Sequence, residues 1–121
     1  MVRKKGVNMS REEEEQKQWK IIAPARDELL KWAKKEKIPL FRVDLLPVPG
    51  IALQVFAYFR TENELKLAKE KGQFESIRQK YLSLLKIQNY MKLFGKKVFF
   101  AFDSDQNIQE KYKGNYGSRM R

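Results

Sequence analysis

The sequence predicts an α+β domain of two layers, a three-stranded, mainly antiparallel sheet covered by helices in the order α-β-β-α-β-α. Three observations carry this. Two segments, 40–46 and 51–60, show the two-residue alternation of strands. Two others, 10–37 and 61–90, repeat apolar residues at three and four. A chain of 121 residues, 42% of them hydrophobic, supports one core and no second.

Residues 1–9 read as a flexible basic arm, 10–113 as the folded domain and 114–121 as a flexible tail. Ser10 and Glu13 have capping-box spacing, and Glu12 to Glu15 suit the positive end of a helix. Trp19, Ile22, Arg26, Leu29 and Ala33 then form a stripe, widened by Ile21, Leu30 and Trp32. Pro24 interrupts it, so a short first segment followed by a helix over about 24–37 is expected. Pro39 stops that helix.

In LFRVDLL, Phe41, Val43 and Leu45 alternate with Arg42 and Asp44. Pro47, Pro49 and Gly50 supply a turn. IALQVFAYFR follows, apolar on both faces, as expected of a central strand paired antiparallel with its predecessor. Thr61 and Glu64 repeat the capping-box spacing, and Gly72 bends or ends the helix they open. Phe74, Ile77, Tyr81, Leu84 and Leu85 form the clearest stripe in the chain. The third strand is expected at 96–102, in KKVFFAF, and a short helix at 105–112 after Asp103 and Ser104. The GNYG segment near the end reads as a turn.

Several function classes lose support from composition. With no cysteine there is no disulfide or thiolate zinc site. With no histidine there is no imidazole base, no Ser-His or Cys-His nucleophile and no imidazole ligand. The start, MVRKKGVNMS, lacks the apolar stretch of a signal peptide, and no apolar run approaches the roughly 20 residues of a membrane span. The expectation is a cytoplasmic protein with no membrane partner and no cofactor.

Lys and Arg number 26 against 15 Asp and Glu, a formal net charge of +11. Residues 62–97 alone hold nine basic and four acidic side chains. Charge of this size favours encounter with polyanions without specifying one. The candidate nucleic-acid contacts are Lys66, Lys69, Arg78, Lys80, Lys86, Lys92, Lys96 and Lys97. Their period does not fall on one helical stripe, which also fits an ordinary solvated face.

Phe56 and Tyr58 share one face of the middle strand, and Phe100 is placed beside them on the third. Exposed, the three would make a base-stacking platform; buried, they are core. Asp103 and Asp105 follow the third strand as DSD, in position to cap the next helix or to hold a divalent cation through oxygen. Asp44 is read as the polar-face partner of Arg42 or another surface base rather than as a nuclease carboxylate, because the next strand offers no glutamate–x–lysine arrangement. The leading expectation is therefore a non-catalytic binding protein for nucleic acid. The alternatives are an inhibitor, immunity or adaptor protein that engages an acidic protein, and a metal-dependent nuclease.

Overall fold

The computed structural model describes residues 10–48, 50–95 and 97–120. Helix α1, Arg11–Lys35, opens on the expected capping box, in which Ser10 Oγ accepts from the Glu13 N–H and Glu13 accepts from the Ser10 N–H, both at 3.1 Å. The predicted break at Pro24 does not occur, and α1 is one helix of 25 residues. Pro24 and Lys20 are both exposed, so the carbonyl that Pro24 deprives of a donor lies on the solvent side of the helix, where water replaces it. The buried line along α1 is Gln18, Ile22, Ala25, Leu29 and Ala33; Ile22, Leu29 and Ala33 belong to the predicted stripe, and Gln18 and Ala25 stand in place of Trp19 and Arg26.

The helix stops through its backbone. The Lys37 N–H bonds the Lys34 carbonyl and the Ile38 N–H reaches that of Ala33, with Lys37 left-handed at φ 59° where glycine is commoner. Ile38, buried behind this turn, sends the chain into strand β1, Leu40–Val48.

β1 pairs antiparallel with β2, Ala52–Phe59, from Val48↔Ala52 to Arg42↔Tyr58, with an irregularity between Leu40 and Arg42. β2 is central and buried on both faces, as its two-sided apolar pattern requires. Three helices follow. α2, Glu62–Glu70, is capped by Thr61, whose Oγ1 accepts from the Glu64 N–H at 3.1 Å. α3, Gln73–Ile87, begins after Gly72, which takes the left-handed conformation between the two. α4, Tyr90–Phe94, is short.

β3, Lys97–Ser104, then lies parallel to β2, giving the order β1-β2-β3. The parallel pairing needs a crossover, which α2 to α4 supply. Two short helices end the described chain, α5, Asp105–Lys111, and α6, Tyr116–Arg119.

One face of the sheet carries the main core. Leu53, Val55 and Phe59 meet Ile77, Tyr81 and Leu85 of α3 and Ile22 and Leu29 of α1, with Val98 packed at the margin. Two buried hydroxyls fasten the helices: Tyr81 donates to the Ile22 carbonyl at 2.9 Å, and Tyr90 to Gln18 Oε1 at 2.6 Å. No helix among the described residues is long and apolar enough to cross a membrane.

Candidate functional site

The second face of the sheet decides the fate of the stacking platform. Phe56 and Tyr58 project from β2 away from α1 and α3, but they are not open to a ligand, being 6% and 0% exposed. Ile108 of α5 and Tyr112, Tyr116 and Met120 pack over them. The Tyr58 and Tyr116 rings meet edge to face at 4.8 Å, and the Arg42 guanidinium lies 3.6 Å from the Tyr116 centroid. Burial, with the nearby Asp44 charge adding to it, pushes the Tyr58 hydroxyl up to about 12.

Phe100 is not beside them. The parallel register sets it opposite Val55, so it shares the helix-covered face, 6.2 Å from the Tyr81 ring. The predicted trio is thus split between two cores. The seven residues from Gly114 to Met120, read from the sequence as part of a loose tail, instead supply much of the cover over the second face. Their anchors are Tyr116, which meets Tyr58 and Arg42 of the sheet and Asp105 of α5, and Arg119, which meets Asp103 of β3.

The DSD segment is absorbed by the same cover. Asp103 accepts from Arg119 Nε at 2.6 Å, from Asn107 Nδ2 at 3.0 Å to each oxygen, and from the Ser104 N–H at 2.8 Å. Ser104, not Asp103, caps α5, its Oγ accepting from the Asn107 N–H. The Ser104 hydroxyl in turn donates to Glu62. Asp105 accepts from the Tyr116 hydroxyl, which holds its carboxyl below the ordinary aspartate value. Among the described residues no group of three or more acidic side chains is placed to hold a metal ion. Asp44 bonds Arg42 Nε at 2.9 Å, the surface pairing its position on the strand implies.

The basic residues divide. Lys66 and Lys69 of α2, with Glu62, line a pocket of about 440 Å³ whose wall is Leu65, Phe74 and Phe102, the two phenyl rings stacked at 4.0 Å. Arg78 of α3 lies 5.5 Å from the Phe100 ring and pairs with Glu75 at 3.3 Å. Lys97 opens β3 and is exposed. These four flank the third strand. Lys80, half-buried, stands about 200° around α3 from Arg78. Lys86 and Lys92 are exposed near the far end of α3 and on α4, and Lys96 lies outside the described residues. Among the described residues, Lys66, Lys69 and Lys97 enter no ion pair.

No family model, no curated protein and no solved structure matches this chain.

The function therefore has to be read from this geometry. Around β3 it joins unpaired cations to apolar surface that water reaches. Phe99, on the opposite face from Phe100, is 53% exposed. Sequence reasoning passed over Phe99, Leu65 and Phe74 as site residues. The alternation in VFFAF separates Phe99 from Val98, Phe100 and Phe102, and would have marked it as facing the other way.

Proposed function

We propose that this chain is a non-catalytic binding module whose ligand is an acidic protein, engaged along the side formed by β3, α2 and the start of α3. The observation that carries the reading is exposed lysine beside apolar surface on both faces of β3: Lys66 and Lys69, with Glu62, at the pocket lined by Leu65, Phe74 and Phe102, and Lys97 on the same face of the strand as the exposed Phe99 ring. Apolar surface flanked by more cations than anions fits a protein partner of opposite charge, which steers encounter and fixes register. The absence of histidine and cysteine and the engagement of Asp103 and Asp105 within the fold support a non-catalytic role. The lack of cysteine also fits the cytoplasm.

A nucleic-acid ligand is the second reading, favoured by the net charge of +11. Burial of Phe56 and Tyr58 removes its aromatic platform and leaves phosphate contacts alone. One titration series separates the two. The chain is mixed at low and moderate salt with a DNA oligonucleotide, an RNA oligonucleotide and an acidic peptide of glutamate and valine. The expected result is peptide binding that falls about tenfold or more in the Lys66→Ala, Lys69→Ala, Lys97→Ala variant. The matching Lys80→Ala, Lys86→Ala, Lys92→Ala variant keeps it. Nucleic acid bound more tightly than peptide, and weakened equally by both variants, would establish the second reading instead.

A further inference from the structure

The two edges of the sheet are built differently. β1 carries Pro47, which has no N–H to offer, a register irregularity between Leu40 and Arg42, and the charged pair Arg42–Asp44. Such features discourage a further strand. β3 has charges at its two ends, Lys97 and Asp103, but none from Val98 to Phe102. It keeps an unbroken register with β2 from Lys97 to Ser104 and contains no proline. Among the described residues, 97–103 make no backbone hydrogen bond other than those to β2. Alternate N–H and C=O groups of β3 therefore point away from the sheet.

The surroundings of that edge have a definite chemistry. On the helix-covered face, Phe100 and Phe102 stack at 6.4 Å, and Lys66 and Lys69, with Glu62, line the pocket beside Phe102. Arg78 stands over Phe100. On the opposite face the row is Lys97 and the exposed Phe99. A strand laid along β3 thus meets apolar surface and positive charge on each of its faces.

We infer that β3 accepts a fourth strand from its partner, an extended segment of another protein in which acidic and apolar residues alternate. This deepens the acidic-protein reading and rests on it. Main-chain bonds to β3 hold the segment, and alternation separates its two kinds of side chain: carboxylates on the helix-covered face meet Lys66 and Lys69, and apolar side chains on the opposite face lie along Phe99. A second copy of this chain is the wrong occupant. Pairing β3 with itself would bring two chains of charge +11 together along a side that carries Lys66, Lys69, Arg78 and Lys97.

The test uses a fluorescein-labelled peptide of alternating glutamate and valine, matched to the eight residues of β3. Two analogues carry N-methyl groups, one on every valine and one on every glutamate. Charge and side chains are unchanged, but each analogue has one hydrogen-bonding edge blocked. Strand addition predicts that at least one analogue binds about tenfold or more weakly than the parent. It also predicts that the parent slows amide exchange at Val98–Ala101. Parent and both analogues binding within about twofold of one another, all lost with Lys66, Lys69 and Lys97, would overturn strand addition and leave the acidic-protein reading standing. No binding of the parent at low salt would remove both.

Discussion

Arg119 donates from Nε to Oδ2 of Asp103 at 2.6 Å, and this bond joins the last helix to the end of the third strand. Both side chains are mostly buried, and Asp103 serves Asn107 and the Ser104 N–H as well. The carboxylate is thus a fixed point of the cover over Phe56 and Tyr58, and the bond raises the Arg119 guanidinium further above its ordinary value.

Arg119→Ala is expected to destabilise the domain by about 1–3 kcal/mol, the range for a hydrogen bond to a charged group whose loss leaves a buried acceptor short of a donor. α6 should loosen before the main core does, because Leu53, Ile77 and Leu85 lie on the other side of the sheet. Urea unfolding reads the first effect, and the rate of chymotryptic cleavage after Tyr116 reads the second. Unchanged values of both would mean that Arg119 does not hold the cover in solution.

The contrast between the two ends of the chain shows what sequence pattern carries and what it does not. Ser10 with Glu13, Thr61 with Glu64 and the Ile77–Tyr81–Leu85 stripe were readable because each is a local rule, satisfied within a turn or two of helix. So was the two-sided burial of β2. The continuity of α1 through Pro24 was not, since it depends on which side of the helix faces water. Nor was the face of Phe100, which the parallel register Val55↔Phe100 sets across the crossover. The candidate surface falls between. Its lysines were visible as a charge excess, but Lys66 and Lys69 reach Phe102 only because α2 packs beside the third strand.

Two buried tyrosines should respond differently to loss of the hydroxyl. The Tyr90 hydroxyl donates to Gln18 Oε1 at 2.6 Å, and both residues are buried. Tyr90→Phe leaves that amide oxygen without its donor and is expected to cost about 1–3 kcal/mol. The Tyr58 hydroxyl is buried and has no hydrogen-bond partner among the described residues, while its ring packs on Tyr116. Tyr58→Phe keeps the ring and removes only the unsatisfied group, so stability should change by less than about 0.5 kcal/mol or rise. Chemical denaturation of the two single variants decides it. Equal losses would mean that the Tyr58 hydroxyl has an acceptor.

The same two side chains contribute to a pH dependence whose direction is fixed, and burial pushes the Tyr81 and Tyr116 hydroxyls up as well. Burial is the main cause that pushes the Tyr58 and Tyr90 hydroxyls up to about 12, with the Asp44 charge adding at Tyr58 and the Glu14 charge at Tyr90. In the unfolded chain both titrate near 10.0. Between these values the folded state holds protons that the unfolded state has released, so stability falls as pH rises. Their contribution is fully present below about pH 10 and is lost as pH climbs towards 12. The urea midpoint should therefore decline across that window, with tyrosinate absorbance from these residues appearing together with unfolding. The Tyr58→Phe, Tyr90→Phe double variant starts lower at neutral pH, through the loss at Gln18, but should decline less steeply above pH 10. Parallel declines in the two proteins would place the alkaline sensitivity in other groups and show that these hydroxyls titrate freely in the folded state.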